Sequence, residues 1–155
     1  MFKNGEIEGI VIKEFNVYPD SRGWLSELFR KDELSESFVP QMGYISITHP
    51  NIARGPHEHR EQTDYFCFLG KFELYLWDNR KESATYQNKK IIHVSDRLIV
   101  IVPPGVVHAY KNVGDREGMV FNLPDRLYAG WGRKEKVDEI RYEGDLESPF
   151  RIEGF

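Results

Sequence analysis

One cysteine, Cys67, is all the thiol chemistry this sequence of 155 residues holds. With no second thiol there is no intrachain disulfide, so packing has to hold the fold. Set between Phe66 and Phe68, Cys67 reads as a buried strand residue. An excess of positive charge is missing too. The 21 Lys and Arg against 25 Asp and Glu leave a net charge of -4, and no basic cluster is interleaved with aromatics. That excludes the usual footprint of a nucleic-acid binder. Long apolar runs are absent. The longest, residues 98–107, carries Pro103 and Pro104 and is too short to cross a bilayer. Lys3, Glu6, Glu8 and Lys13 interrupt the N-terminal segment, so no signal peptide is expected. There is no internal repeat, low-complexity tract or linker-like change of composition. The absences predict one cytoplasmic domain over residues 1–155, with neither a nucleic acid nor a membrane as partner.

Short stretches rich in β-branched and aromatic residues, punctuated by glycine and proline, fill the chain instead. They predict strands over residues 7–15, 23–29, 43–48, 64–69, 72–77, 90–94, 98–102, 107–111 and 118–122. Phe72, Leu74 and Leu76 alternate with Glu73, Tyr75 and Trp77, which is the period of a strand. Gly70-Lys71 reads as a tight hairpin turn, and residues 78–83 as another turn. Only residues 31–38 look helical, and the charged stretch 134–141 is ambiguous. Many short strands separated by turns indicate an all-β sandwich or barrel, of which the jelly roll is one closure.

Two histidine-bearing segments narrow that class. The first runs Arg54-Gly55-Pro56-His57-Glu58-His59 and is followed by Asp64. On a strand, side chains two apart share a face, so His57 and His59 point to the same side. The second, Pro103-Pro104-Gly105 through His108 to Asn112, has the spacing P-x-G-x-x-H-x-x-x-N. Pro103 to Gly105 can turn the chain sharply at a barrel rim before His108 enters the next strand. An isolated H-x-H usually marks no more than a half-exposed strand face. The ordered pair resembles the two motifs of the cupins, with Asp64 where the first has a glutamate and Arg97 in place of the second's leading glycine. The resemblance implies an all-β cupin, a double-stranded β-helix or jelly-roll barrel, with His108 facing His57 and His59 across the interior. His49, beside Pro50, and His93 read as surface residues.

Two chemistries suit such a cluster. His57, His59, Asp64 and His108 form a nitrogen and oxygen set able to hold a divalent metal. Alternatively, a pocket histidine can take a proton from carbon next to a ketone. The enolate oxygen then needs a donor, and an acid must return the proton to the opposite face. Tyr44, on the strand before the first motif, is the candidate acid, set against a bland role in rim packing.

The chain also resembles the dTDP-4-dehydrorhamnose 3,5-epimerase family over nearly its whole length. Asp20-Ser21-Arg22-Gly23-Trp24-Leu25-Ser26-Glu27-Leu28-Phe29 is similar to that family's D-x-R-G-x-F-x-E-x-F signature, and Arg54-Gly55-Pro56-His57 to its R-G-x-H. The resemblance implies that Arg22, Glu27 and Arg54 bind the nucleotide and its diphosphate, that His57 is the catalytic base, and that the protein is a homodimer without a cofactor. Three departures stand out. Residues 61–69 contain no lysine where the family holds its oxyanion, Phe121 stands where it places a catalytic tyrosine, and His59 replaces a glutamine or similar residue. The run from His57 to Asp64 and the later Asn122, Pro124 and Tyr128 are similar to a smaller branch associated with surface polysaccharides. The sugar 3,4-ketoisomerases, with R-G-x-H-x-H and an upstream tyrosine, are similar as well. The departures leave His59 or His108 as the enolate's donor, Tyr44 as the acid with Tyr128 second, and Glu143 as an orienter of His57.

The expected activity is that of a nucleotide-sugar epimerase or isomerase acting on a 4-keto-6-deoxyhexose in surface-polysaccharide synthesis. The alternatives are a metal-dependent cupin enzyme, either a dioxygenase or a phosphosugar isomerase, and a non-catalytic sugar-nucleotide-binding cupin.

Overall fold

The computed structural model describes residues 1–152. Its strands are β1 (Lys3–Asn4), β2 (Val11–Lys13), β3 (Tyr18–Asp20), β4 (Gly23–Leu25), β5 (Tyr44–Thr48), β6 (Ala53–Glu58), β7 (Asp64–Leu69), β8 (Phe72–Asp78), β9 (Asn88–Val94), β10 (Arg97–Val102), β11 (Val106–Asn112), β12 (Gly118–Asn122) and β13 (Ile140–Arg141). One sheet has the order β1-β9-β8-β11-β6-β13, and the other β2-β10-β7-β12-β5. Strands β3 and β4 form a separate hairpin. The two large sheets face each other in the jelly-roll arrangement of the cupins.

Alternation along the strands builds three apolar layers. Phe66, Phe68, Phe72, Leu74, Leu76, Val100 and Tyr110 fill the space between the sheets. The intervening residues of β8 and β11, Tyr75, Trp77, Val107 and Ala109, face outward and are covered by Phe150 and Ile152. On the other sheet Tyr65, Cys67 and Ile99 face outward under Phe15 and Phe38. Both faces of each central strand are therefore dry, which is why β7 and β8 read as almost continuous apolar runs. The Cys67 thiol lies fully buried, and burial pushes its pKa up to about 12.

Gly70 and Lys71 do not close a hairpin. They carry the chain from β7 in one sheet to β8 in the other. The inward side chains of both strands, Phe66 and Phe68 against Phe72, belong to one core. The strands therefore stack across the interior instead of pairing side by side. The expected helix over residues 31–38 is reduced to a single 3-10 turn, Lys31–Glu33. Phe38 is drawn onto Tyr65, with ring centroids 5.8 Å apart, which stretches the segment across the sheet. The long first strand shrinks to Val11–Lys13, because Gly9 at φ +84 turns the chain just before it. No described helix is long and apolar enough to cross a membrane.

Candidate active site

Residues from both sheets converge at one end of the barrel. His57 and His108 sit opposite each other in the β6–β11 ladder, and Tyr44 opposite Asn122 in the β5–β12 ladder. A cavity of roughly 740 Å³ opens there, lined by Tyr44, Ser46, Arg54, His57, His59, Tyr110, Tyr128, Glu139 and Arg141 among others. That volume suits a ligand larger than a single hexose.

A β-bulge sets the wall. Between the pairs His108↔His57 and Tyr110↔Arg54, β11 contributes one residue and β6 two. The extra residue lets Arg54 and His57, three apart, face the same cavity. Gly55, at φ +87, makes the bulge possible: a Cβ there would lie 2.6 Å from the His108 carbonyl oxygen. The turn of the second motif closes against the first, with the Gly105 N–H donating to the His59 carbonyl at 2.8 Å.

The three histidine rings cluster as expected. His57 lies 4.4 Å from His108 and 5.6 Å from His59, centroid to centroid. Asp64, 1% exposed, is the hub of this cluster. Its Oδ1 accepts from the side-chain amides of Gln62 at 2.8 Å and Asn122 at 2.7 Å. Its Oδ2 lies 3.3 Å from His59 Nε2 and 3.2 Å from His108 Nε2, as close contacts, and Oδ2 and His108 Nε2 make no hydrogen bond. The other nitrogen of each ring faces a backbone carbonyl, Asp138 for His59 and Val106 for His108. A carbonyl accepts only, so both Nδ1 atoms carry hydrogen.

These surroundings drive the histidines apart. Burial first, then the neighbouring His108, holds the His57 pKa down to about 2, against the pull of Asp64. Burial also opposes charge on His59, but the Asp64 carboxylate and Asp138 raise its pKa to about 9. Burial alone would raise Asp64, yet His108 and His59 hold its carboxyl well below the usual range. At neutral pH the site thus presents a neutral His57, with one ring nitrogen free to accept a proton, beside a cationic His59. Burial raises the Tyr44 phenol above its ordinary pKa, and Asp64 adds to the rise, while a hydrogen bond from Asn122 opposes it.

Several expectations need correction. His108 is 1% exposed and lies outside the cavity lining, set behind Asp64. Glu143 does not orient His57, because its carboxylate accepts from the Gly55 N–H at 2.7 Å. Glu139 is the carboxylate nearest His57, at 4.0 Å from Nε2, and it is also bound by Arg141. Phe121 packs with the outward cluster, and the inward residue at that end of β12 is Asn122. Arg22 and Glu27 lie outside the cavity, on or just after the β3–β4 hairpin. Arg22 is paired with Asp20 at 2.5 Å and Glu27 with Arg30 at 3.5 Å. Arg54 does line the cavity, with two of its donors on Thr48 Oγ1 and the Ile47 carbonyl. Tyr128 stands at the rim, and His49 and His93 remain on the surface.

The segment around β13 had no periodic signal, only a resemblance of residues 138–150 to the family's closing motif. Asp138 accepts from the N–H groups of Arg60, Glu61 and Gln62 at 2.8, 2.9 and 3.0 Å, pinning the loop that follows His59. The ring nitrogens of His57, His59 and His108 lie within 4.8 Å of one another, so this donor set also fits a divalent transition ion.

Comparisons with known proteins give the family and the fold. Residues 4–137 match the family model for dTDP-4-dehydrorhamnose 3,5-epimerase. A protein of Haloferax volcanii, described as a probable low-salt glycan biosynthesis epimerase, is 31% identical over 79% of this chain and 81% of its own length. The crystal structure of a dTDP sugar isomerase from Desulfovibrio desulfuricans superposes with a TM-score of 0.80 at 22% identity, covering 94% of this chain and 91% of that one. The dTDP-6-deoxy-D-glucose-3,5-epimerase of Legionella pneumophila, solved with dTDP-4-keto-L-rhamnose, gives 0.71 at 19% identity over 81% and 71%. With the family model matched over most of its length, this chain belongs to the dTDP-4-dehydrorhamnose 3,5-epimerase family and is an isomerase, a nucleotide-sugar epimerase.

Proposed function

We propose that the protein inverts a carbon next to the C4 ketone of a nucleotide-linked 4-keto-6-deoxyhexose, in the cytoplasm, as a step toward a surface polysaccharide. The observation that carries this reading is the placement of His57 and Tyr44 on opposite sheets facing one cavity. A base on one wall and an acid on the other remove and return a proton from opposite faces, which is inversion. The keto sugar bound to the Legionella relative is a ligand of this chemical class.

His57 Nε2 takes the proton. The C–H electron pair becomes the enolate double bond, and the ketone's π pair moves onto its oxygen. A depressed pKa keeps the ring neutral, with a lone pair available, before the step. The negative charge forming on the enolate, with Glu139 beside the ring, lets it hold the proton afterwards. His59 supplies the fixed positive charge that the missing lysine would have given the oxyanion. Tyr44 then protonates the carbon from the other side, with Tyr128 as second choice.

Arg54 is the diphosphate contact on this wall, where a guanidinium offers paired donors. Arg22 and Glu27 serve a neighbouring subunit's cavity in a homodimer. Tyr18, Trp24 and Leu25 on their hairpin and Ile45 and Ile47 on β5 are left exposed, as an interface would use them. His57→Ala should abolish exchange of the sugar's ring proton with deuterated water while leaving nucleotide binding nearly intact. Undiminished exchange in that variant would remove His57 as the base.

A second reading is favoured by the convergent rings and by Asp64 Oδ2 and His108 Nε2, which are buried without hydrogen-bond partners. His57, His59, Asp64 and His108 would then hold a divalent ion supplying Lewis acidity. Metal analysis of protein purified without added metal, together with exchange measured after chelation, separates the two.

A further inference from the structure

Among the described residues, Asn122 is the side chain that joins the histidine cluster to Tyr44, with a hydrogen bond to each side. It is fully buried and does not line the cavity. Its Oδ1 accepts from the Tyr65 N–H at 2.9 Å. Its Nδ2 donates to Asp64 Oδ1 at 2.7 Å and to the Tyr44 hydroxyl oxygen at 3.0 Å. The amide has no second orientation, because turning it over would set its carbonyl against a carboxylate and its NH₂ against an N–H.

This arrangement has a consequence for Tyr44. A hydroxyl oxygen that accepts from Asn122 keeps its own hydrogen for another partner. No acceptor for that hydrogen is found among the described residues, and the hydroxyl belongs to a residue of the cavity wall. An amide donor on the oxygen also stabilises the phenolate left behind when the proton goes.

We infer that Asn122 is a positioning residue that aims the Tyr44 hydroxyl proton into the cavity and supports the phenolate formed when that proton is given up. The inference rests on the epimerase reading and on Tyr44 as its acid. In the step concerned the Tyr44 O–H bond breaks as the new C–H bond forms. The enolate's double-bond pair makes that bond, the carbonyl is restored, and the phenolate later regains a proton from water. His57 returns the proton it took to solvent, so the cycle closes without a co-reactant.

The test uses the full-length protein, a dTDP-linked 4-keto-6-deoxyhexose and deuterated water, and measures ring-proton exchange and inverted product separately. Asn122→Leu should lower product formed per exchange event at least tenfold, with exchange itself within about threefold of wild type, as Tyr44→Phe should. Adding Asn122→Leu to Tyr44→Phe should leave that ratio unchanged. If Asn122 only supports the fold, exchange and product fall together, or the effects of the two substitutions multiply, and either result overturns the inference. Should Asn122→Leu fail to fold, Asn122→Ser takes its place, since its hydroxyl is too short to bridge both groups. A measurement on Tyr44→Phe alone adds an independent check: the Asn122 side-chain NH₂ resonance should shift, and an unmoved resonance counts against the contact. Absence of exchange in the wild type would tell against the epimerase reading itself, whereas normal exchange with an unaltered product ratio in the Asn122 variants tells against Asn122 only.

Discussion

His57 and His59 are the same side chain two positions apart on one wall, yet one is held neutral and the other charged. The cause is the company each keeps. His57 is buried against a second imidazole, while His59 lies against Asp64 and the Asp138 carbonyl. The difference makes a stability prediction whose sign can be worked out. The folded pKa of His59, about 9, is above its ordinary 6.5, so its contribution is complete below pH 6.5 and is lost as pH rises through about 9. The folded pKa of His57, about 2, is below that value, so the unfolded chain takes up a proton under pH 6.5 that the folded chain refuses. Each effect has a limiting slope of about 1.4 kcal/mol per pH unit. The thermal midpoint should therefore peak near pH 6.5 and fall on both sides. His59→Gln should abolish the alkaline fall and keep the acid one; a midpoint that still drops between pH 7 and 9 in that variant would contradict the assignment of charge to His59.

Among the elements, β6 and the segment around β13 shape the site. The bulge in β6 exists because Gly55 occupies a left-handed conformation with another strand's backbone against its α-carbon. Gly55→Ala should cost about 3 kcal/mol, read from urea denaturation, since strain and a backbone clash coincide. It should also shift Arg54 relative to His57 and so weaken nucleotide binding; unchanged affinity would mean that the bulge does not set the wall. Asp138 pins three successive amides of the loop after His59. Asp138→Ala should lower stability by roughly 1–3 kcal/mol and reduce exchange at least as strongly as it reduces stability. Full exchange activity in that variant would show that His59 needs no such support. Strand β6 was not among the strands expected from composition; only the spacing of His57 and His59 pointed to extended chain there. The segment around β13 gave no strand signal, because a two-residue strand has no periodicity and a capping aspartate looks like any other charge in the stretch 134–141.

At the scale of the molecule, the hairpin β3–β4 stands away from the cavity of its own chain although its sequence resembles a nucleotide-binding signature. A homodimer would reconcile the two facts, and mixing inactive variants tests it. Combined His57→Ala and Arg22→Ala subunits should regain activity, because one cavity of the mixed dimer would hold a native His57 and receive a native Arg22. No recovery, or a monomeric mass near 18.2 kDa by light scattering, would oppose the shared site. Much of the fold could be read from the chain. The alternation of Phe72, Leu74 and Leu76 with Tyr75 and Trp77 identified a strand, and the order of the two histidine motifs identified the jelly roll. The same residues left open that β7 and β8 part at Gly70 into different sheets, since a turn signature does not say which neighbour a strand pairs with. The sequence by itself determined which side chains share a face, because that depends on a local period of two. Only the tertiary structure decided that His108 sits behind Asp64, that Asn122 and not Phe121 points inward at that end of β12, and that one histidine is neutral while its neighbour is charged. Those outcomes depend on burial and on short through-space distances between β6, β7, β11 and β12, which no local pattern carries.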